Sequence, residues 1–315
     1  MKNNKAFTLI ELLVTMVIIL VIGAAIYFTY DILLKGFKGE SKNIESELEN
    51  VVGLELLRLD IEHAGYGLAK DLSNKAIELN DTNKEIVIRS TLNNTNKSTL
   101  GYVIFNCPDI STELDAALNV DNREDPSITQ FVLTNIDGLF KGFLSISANC
   151  PEKGYLIGFP VEFNGISPEN GCGSTPPAPG EQFCNIIQYT LSSDQPLSTC
   201  NPNTYNLLRK AGGNALSGSG GEPLISCVAD FVVRGKLEDG SIISDTTTLT
   251  ASDIRNKLKQ VNIYILRHEG RKDPKYHYNG SSITIDGITF DLSGISDYTH
   301  YRWKVLKITV NPMDL

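Results

Sequence analysis

The stretch Ala6-Phe7-Thr8-Leu9-Ile10-Glu11-Leu12-Leu13-Val14-Thr15 decides the fold, because it places one carboxylate at the start of a long apolar run. From Leu12 to Tyr30 the chain has 19 residues without a charged side chain. As a helix that rises about 1.5 Å per residue, this segment roughly spans the hydrocarbon core of a bilayer. We therefore predict a membrane-spanning helix over residues 7–30, with Glu11 at the edge of the lipid.

The position of Glu11 predicts a charged partner. A carboxylate inside a bilayer costs roughly 2.5–3.5 kcal/mol on insertion scales, so such residues usually have a partner and a function. No Lys, Arg or His occurs between Phe7 and Tyr30. Cleavage between Ala6 and Phe7 would create an α-amino group four residues before Glu11, on the same face of a helix. The pattern therefore predicts an assembly charge pair between the Phe7 amine and Glu11, in one chain or between packed neighbours.

The segment Lys5-Ala6-Phe7-Thr8-Leu9-Ile10-Glu11 resembles the processing site of type IV prepilins and pseudopilins. In that superfamily a dedicated prepilin peptidase cuts before the Phe and methylates the new amine. The resemblance therefore implies a leader peptide over residues 1–6, a processing site at Ala6 and Phe7, and N-methylation of Phe7. Family members usually carry Gly before the cut, whereas this chain has Ala6, which is also small.

Two other interpretations of the N-terminus stay open. Lys2 and Lys5 ahead of an apolar run are also typical of a secretory signal peptide, and Gly23-Ala24-Ala25 offers small residues to signal peptidase. A plain signal anchor has the same apolar run. Neither explains why an acid comes directly after Phe-Thr-Leu-Ile, so the prepilin interpretation is favoured.

The second part of the helix is predicted to be amphipathic and to extend over residues 31–68. Apolar positions recur every three or four residues, which indicates one buried stripe of a helix that lies on a sheet. Ala64-Gly65-Tyr66-Gly67 is predicted to end the helix, because glycine is common just beyond helix C-termini. The predicted stripe consists of Ile44, Leu48, Val52, Leu56, Leu59 and His63.

Residues 69–315 are predicted to form a large β-rich body. Short runs of β-branched and aromatic residues, bounded by Asn, Gly, Pro and Asp, indicate strands. Because no ten-residue helical pattern alternates with them, the sheets are expected to be mainly antiparallel and the fold class α+β. The predicted strands cover residues 85–89, 101–105, 129–133, 142–146, 155–159, 185–191, 204–209, 224–236, 261–267, 283–285 and 301–310.

Two further local features belong to this body. Residues 252–258 are predicted to form a short helix with Ser252 as its N-cap. The Gly- and Pro-rich stretches 165–182 and 212–221 are interpreted as long surface loops on one body. Linkers between two lobes are the alternative interpretation of the same stretches.

The chain contains six cysteines, all beyond the apolar helix, and an even count in an exported region predicts disulfide bonds. A zinc site is the weaker alternative, because the shortest spacing, from Cys172 to Cys184, is far wider than in zinc-binding motifs. Six cysteines allow fifteen pairings, among which the sequence does not choose. Our working prediction is nearest-neighbour pairing: Cys107 with Cys150, Cys172 with Cys184, and Cys200 with Cys227.

The remaining composition argues against several function classes. The formal net charge of -9 is unfavourable for non-specific binding of nucleic acid. The chain has no His-Glu-x-x-His, Gly-x-Ser-x-Gly, Walker or dinucleotide-binding motif. His268, His277 and His300 could meet at a metal, but positions on surfaces and turns are the preferred interpretation. Residues 119–125 resemble the start of a calcium loop, yet Arg123 occupies a ligand position. We therefore predict no catalytic residue, no metal, no cofactor and no enzymatic activity.

Residues 54–66, a leucine-rich helix followed by Ala64-Gly65-Tyr66, resemble the corresponding segment of PilW-type minor pilins. The order of strands, Gly-rich loop and Trp-bearing final strand in the second half is also similar to that family. The resemblance implies a minor pilin of a type IV pilus that initiates or stabilises assembly, with adhesion as a further role. Subunits at the extreme tip typically lack the acid that Glu11 supplies, so a place below the tip is expected.

The same resemblance implies partners and location. The expected partners are other minor and major pilins, prepilin peptidase, the inner-membrane assembly platform, and the membrane itself before assembly. The expected location is the inner membrane, crossed once with the body in the periplasm, and then the pilus at the cell surface. A J-type pseudopilin of type II secretion is the alternative within the superfamily. A membrane-anchored periplasmic binding protein or enzyme is the alternative from another class.

Overall fold

The structure of the chain is a computed structural model, which describes residues 9–96, 99–109, 115–119, 130–145, 149–161, 184–194, 197–211, 220–313 and 315. The chain divides into two compact units, Met1–Glu49 and Asn50–Leu315.

The first unit contains the apolar part of helix α1, which runs over Leu9–Glu62. Its first 23 described residues, Leu9–Asp31, have a mean hydropathy of 2.8 and no buried stretch. A helix that is apolar on all sides is stable only in lipid or against other helices. By length and composition, this segment can cross a membrane, in agreement with the predicted span.

The second unit is β-rich, and within the described ranges it contains fifteen strands and one further α-helix. In the first half of the unit these are β1 (Ile77–Asn80), β2 (Glu85–Ser90), β3 (Val103–Cys107), β4 (Asp115–Asn119), β5 (Gln130–Asn135), β6 (Phe140–Ser145) and β7 (Gly154–Pro160). In the second half they are β8 (Asn185–Ser192), β9 (Tyr205–Ala211), β10 (Glu222–Leu237), β11 (Ile242–Ile243), α2 (Ala251–Lys257), β12 (Leu258–Glu269), β13 (Ser282–Ile285), β14 (Ile288–Asp291) and β15 (Arg302–Val310).

These strands form three sheets, in which every described pairing is antiparallel. The largest has eight strands in the order β1-β2-β8-β9-β10-β12-β15, with β11 paired to β10. A five-stranded sheet has the order β4-β3-β7-β5-β6, and β13 pairs with β14 in a hairpin. The predicted α+β class, an apolar N-terminal helix followed by a large antiparallel β-rich body, is confirmed.

The main hydrophobic core lies between the last turns of α1 and the eight-stranded sheet. Leu57, Ile61 and Ala64 have no exposed surface and belong to one cluster with Ile263 and Ile265 of β12. Because side chains alternate across a strand, Tyr264 and Leu266 face the opposite side, where they pack with Phe290 and Trp303 in a second cluster. The sheet is therefore covered by α1 on one face and by the β13–β14 hairpin on the other.

The predicted stripe of the amphipathic helix was wrong. Val52 is 61% exposed, and Leu56, Leu59 and His63 are only partly buried. The side chains of Ile44 and Leu48 lie outside those that the structure describes. The buried residues among the described side chains of this segment are instead Asn50, Gly53, Leu57, Asp60, Ile61, Ala64 and Gly65. The prediction followed the spacing of apolar side chains and His63, whereas the buried face includes glycine, an amide and a carboxylate.

Gly53 explains part of this difference. A Cβ atom at residue 53 would lie 2.8 Å from the carbonyl oxygen of Leu224 in β10. The helix therefore approaches the sheet more closely there than a residue with a side chain allows, because real Cβ atoms do not come this near to backbone oxygen. The segment that ends α1 agrees better with prediction: Gly65 and Gly67 have φ values of 92° and 70°, which suit glycine.

The N-cap predicted for α2 was also wrong. Thr250, not Ser252, caps this helix, and its hydroxyl accepts a hydrogen bond from the backbone N–H of Asp253. The Asp253 carboxylate in turn accepts from the Thr250 N–H at 3.0 Å, which completes a capping box. Four short strands, β1, β4, β11 and β14, were not predicted. The stretches 165–182 and 212–219, interpreted as loops, and residues 120–125 lie outside the described residues.

Disulfide bonds join Cys107 to Cys150 and Cys200 to Cys227. Their Cα–Cα distances are 5.7 and 5.0 Å, which are typical values. Cys184 is also disulfide-bonded, while Cys172 lies outside the described residues. The two described bonds are those expected from nearest-neighbour pairing.

Candidate functional site

The apolar helix carries one of the predicted site residues within the described part of the chain. Glu11 lies in the first turn of α1, where the helix macrodipole favours negative charge. Ala6 and Phe7, the predicted processing and methylation site, lie outside the described residues. The structure therefore places the acid of the predicted charge pair, and the amine stays a prediction.

The two threonine hydroxyls of the apolar span form hydrogen bonds within the helix. The hydroxyl of Thr15 donates to the Leu12 carbonyl at 2.9 Å, and that of Thr29 donates to the Ala25 carbonyl at 2.9 Å. Such bonds to the preceding turn allow hydroxyl side chains to enter lipid at little cost. A Cβ at Gly23 would meet no atom within 4 Å. Among the described residues of this unit, nothing therefore requires glycine at that position, which leaves it open to a neighbouring helix.

A second charged group, which the sequence did not reveal, fixes the end of α1 to the large sheet. Tyr189 of β8 and Arg209 of β9 are directly opposite each other in the sheet. The Asp60 carboxylate accepts hydrogen bonds from the Tyr189 hydroxyl at 2.5 Å and from Arg209 Nε at 2.7 Å. Asn94 Nδ2 donates to the other Asp60 oxygen at 2.8 Å. We call Asp60, Tyr189 and Arg209 the helix clamp.

The helix clamp is fully removed from solvent. The side chains of Asp60 and Arg209 are 0% and 3% exposed. Burial, and then the negative charge of Asp60, raise the pKa of Tyr189 well above its usual value, so the phenol stays protonated and donates. For Arg209, burial lowers the pKa, but the hydrogen bond and charge of Asp60 outweigh it and the net pKa is raised. The raised pKa values therefore keep the Tyr189 phenol neutral and the Arg209 guanidinium charged at neutral pH.

A third polar cluster surrounds the Cys200–Cys227 disulfide. His268 of β12 has no exposed surface, and its Nε2 accepts a hydrogen bond from the backbone N–H of Asn201 at 2.9 Å. The imidazole ring lies 4.5 Å from the Tyr301 ring and 5.4 Å from the Trp303 indole, measured between centroids. Burial, followed by the charge of neighbouring Arg267, lowers the pKa of His268 to about 4. The histidine is therefore a neutral packing residue at neutral pH.

The histidines considered for a metal do not converge within the described part of the chain. His277 and His300 have ring centroids 6.3 Å apart, while His268 packs beside the disulfide. Cys200, Cys227 and His268 bring ligand-type atoms within 4.8 Å of one another. Both cysteines are joined in the disulfide bond, however, so they do not offer thiolates. This cluster does not fit a metal site.

Comparison with known proteins bears on the N-terminus. Residues 1–27 match the family model described as the prokaryotic N-terminal methylation motif. A type IV-like pilin from Thermus thermophilus has a solved structure with 10% sequence identity and a TM-score of 0.33, over 85% of this chain and 96% of that chain. A TM-score this low does not establish a shared fold. No curated protein matches the chain. The methylation motif and the apolar helix Leu9–Asp31, the one candidate span among the described residues, together fit a membrane-anchored chain with a prepilin-type N-terminus.

Proposed function

We propose that this protein is a minor pilin of a type IV pilus, most similar to PilW-type subunits. One observation carries the proposal: Glu11 stands in the first turn of an apolar helix whose start matches the methylation motif. Prepilin peptidase would remove residues 1–6, cutting between Ala6 and Phe7, and methylate the Phe7 amine. The mature chain would begin with a cation four residues from Glu11.

The proposed mechanism rests on the cost of a carboxylate in lipid. That cost reaches roughly 2.5–3.5 kcal/mol for an acid at the centre of a membrane helix and is smaller near the edge of the lipid, where Glu11 is expected. When subunits pack side by side, Glu11 can pair with the Phe7 amine of an adjacent subunit, and pairing in a medium of low dielectric recovers part of the cost. Assembly is thereby favoured in the one register that brings acid and amine together.

The apolar side chains would then complete the packing. Residues Leu12 to Ile22 are exposed in the isolated helix, with Leu12 at 53% and Ile22 at 53% exposure. Because lipid tails are as apolar as these side chains, helices associate in the membrane through close van der Waals contact with each other. Small residues allow that contact. Gly23, where a side chain would meet nothing within 4 Å, suits such an approach. The proposed partners are therefore other minor and major pilins, with the assembly platform acting on the stored form.

The presence of Glu11 also argues for a place below the extreme tip of the pilus, since a tip subunit has no earlier subunit to pair with. The chain has 315 residues, and such bulk suits a scarce subunit in a priming complex better than a shaft built of many copies. We further propose that the β-rich unit lies in the periplasm before assembly and at the cell surface afterwards.

The first experiment replaces Glu11 with Gln, which keeps the shape of the side chain and removes its charge. Asp31→Asn is the matched control, because Asp31 ends the same apolar span 20 residues further along. We expect Glu11→Gln to remain in the membrane at normal levels and to disappear from sheared filaments, whereas Asp31→Asn is incorporated normally. Equal incorporation of Glu11→Gln and wild type would contradict the proposal.

The second experiment tests how the N-terminus is processed and whether the subunit belongs to a type IV pilus or to type II secretion. Mass spectrometry of the mature protein should find an N-terminus at Phe7 with a methylated amine, and an N-terminus at Met1 or Ile26 would contradict prepilin processing. Deleting the gene should reduce the number of pili. A deletion that leaves pili intact and abolishes protein secretion would instead favour the J-type pseudopilin, which shares the same N-terminal chemistry.

A further inference from the structure

Two histidines lie close together at the surface of the second unit, although the three considered for a metal do not meet at one point. His277 lies between β12 and β13, and His300 ends a 3₁₀ turn, Tyr298–His300, just before β15. Their ring centroids are 6.3 Å apart, and the ring planes are inclined by 71°. His277 is exposed and His300 is partly exposed, so an ion from solution can reach both rings.

Backbone hydrogen bonds hold the two histidines beside each other. The Tyr278 N–H donates to the Thr299 carbonyl at 2.7 Å, and the Asp273 N–H donates to the His300 carbonyl at 2.9 Å. These bonds join the chain on either side of His277 to the turn that carries His300. The two segments are therefore fixed to each other, and binding of an ion requires little ordering of the backbone, which favours affinity.

One hydrogen bond decides which nitrogen of His300 can bind an ion. Its Nδ1 lies 3.0 Å from the Tyr276 carbonyl oxygen. A carbonyl only accepts, so Nδ1 carries the proton and Nε2 keeps its lone pair. Metal-binding histidines almost always donate their other ring N–H to a backbone carbonyl, a carboxylate or water, which fixes the tautomer and orients the ring. His300 is therefore already in the form that a metal ligand requires.

The distance between the rings suits one shared metal ion after a small movement. Two imidazoles on a tetrahedral zinc ion, with Zn–N distances of about 2.0–2.1 Å, have ring centroids roughly 5 Å apart. The observed separation of 6.3 Å is longer than this by about 1 Å. Rotation of His277 can bring the rings closer, since exposed side chains change rotamer within nanoseconds and no described residue forms a hydrogen bond with its ring.

The acidic side chains around the pair already have partners. Lys272 pairs with Asp297 at 2.5 Å, and Arg302 pairs with Asp273 at 2.9 Å. Two further cations of this segment are exposed to solvent, Arg271 and Lys275. Solvent and salt weaken their repulsion of an incoming ion. Because the nearby carboxylates are occupied, the two imidazoles are the ligands that this surface offers.

We propose that His277 and His300 form a surface binding site for one divalent ion of a late first-row transition metal, with Cu²⁺ bound more tightly than Ni²⁺ or Zn²⁺. Imidazole nitrogen suits these ions, and the order follows from their general affinity for such ligands. Ca²⁺ and Mg²⁺ prefer oxygen ligands. Water would occupy the remaining coordination positions. The site goes beyond the proposed function, because it involves neither the apolar helix nor Glu11, and it departs from the sequence-based expectation of no metal.

Quenching of Trp303 fluorescence by Cu²⁺ tests the site. This residue is the only tryptophan, and its indole N–H donates to the Tyr298 carbonyl at 2.8 Å, in the turn that ends at His300. The probe is Cu²⁺ alone, titrated into the full-length chain in detergent, purified without a histidine tag. We expect saturable quenching with one ion per chain, which EDTA reverses.

Three variants assign the ligands. His277→Gln and His300→Gln should each weaken binding at least about tenfold, because even the loss of an outer-shell partner of a metal ligand costs about 10- to 100-fold in affinity. His63→Gln is the matched control, since it removes a histidine just beyond α1, and it should leave the affinity unchanged. Equal affinity of wild type and His277→Gln, or the absence of saturable quenching in wild type, would overturn the proposal.

Electron paramagnetic resonance of the Cu²⁺ complex then counts the nitrogen ligands. Wild type and His63→Gln should show coupling to two imidazole nitrogens, and His277→Gln at saturating Cu²⁺ should show coupling to one. Two coupled nitrogens in His277→Gln would assign the ion to other ligands and contradict the site. Because His277 is exposed, its replacement should not disturb folding, and an unchanged emission maximum of metal-free Trp303 verifies this.

Discussion

The helix clamp leads to the most direct prediction about stability. Replacing Asp60 with Asn keeps the size of the side chain and an acceptor for the Tyr189 hydroxyl, but it removes the negative charge. The Arg209 guanidinium is 3% exposed, and its other described side-chain partner is the neutral amide of Asn93, at 3.0 Å. A buried cation would therefore be left without a counter-ion.

The expected cost is large. Breaking a buried ion pair by removing one partner destabilises a protein by about 3–5 kcal/mol, because the remaining charge stays out of water. Folded domains are stable by only about 5–15 kcal/mol, so Asp60→Asn should remove a large share of the total. Removing both charges, in Asp60→Leu combined with Arg209→Met, should cost less than Asp60→Asn alone, since no uncompensated charge remains.

Urea unfolding of the full chain in detergent, with the disulfides intact, measures these changes. Trp303 is the only tryptophan and lies in the same unit as the helix clamp, so its fluorescence reports unfolding of the large sheet. Glu55→Gln is the control, because it breaks the exposed pair with Arg58 on the same helix and should cost far less. The reasoning is refuted if Asp60→Asn unfolds at the same urea concentration as Glu55→Gln, or if the double variant is no more stable than Asp60→Asn.

Three further predictions concern the second unit. Because the pKa of His268 is lowered from 6.5 to about 4 in the folded state, the unfolded state binds the proton first; stability should fall as the pH drops from about 6.5 to about 4, and urea titrations of His268→Gln should lack this slope. Gly53→Ala should lower the unfolding midpoint, although Ala favours a helix interior by about 1 kcal/mol, because the new Cβ would lie 2.8 Å from a backbone oxygen; a rise would contradict the contact. Replacing Cys200 and Cys227 with Ser opens a loop between residues 27 apart in sequence, and urea unfolding should show a loss between about 3 and 4.7 kcal/mol on the chain-entropy scale; an unchanged midpoint would contradict it.

Some features of this protein follow from neighbouring residues alone. The apolar run from Leu12 to Tyr30 has no charge and is too long for an ordinary buried helix, so its length and composition are sufficient to predict a membrane span. The position of Glu11 relative to Phe7 is likewise local. Strands such as β2 and β8 were predicted because β-branched residues cluster there and Asn, Gly or Pro bounds them. Short strands such as β11, with two residues, carry too little pattern for this approach.

The buried face of α1 depended on residues that are distant in sequence. Asp60 is of a type that is almost always exposed unless paired, and a sequence pattern therefore assigns it to solvent. Its partners Tyr189 and Arg209 are 129 and 149 residues further along the chain, and only the pairing of β8 with β9 brings them together beneath the helix. The role of Gly53 was missed for a related reason. Glycine is required there because the Leu224 carbonyl lies close to the helix, and Leu224 is distant in sequence.

The difference between local sequence pattern and contacts between distant residues also applies to the candidate sites. The N-terminal segment could be interpreted from sequence because the proposed cleavage, methylation and charge pair need only residues within one or two helical turns. The helix clamp needs three chain segments, around Asp60, Tyr189 and Arg209, which no local pattern connects. Local composition thus determined the long apolar helix and its carboxylate, whereas tertiary packing decided which faces are buried, because burial depends on what lies opposite a side chain.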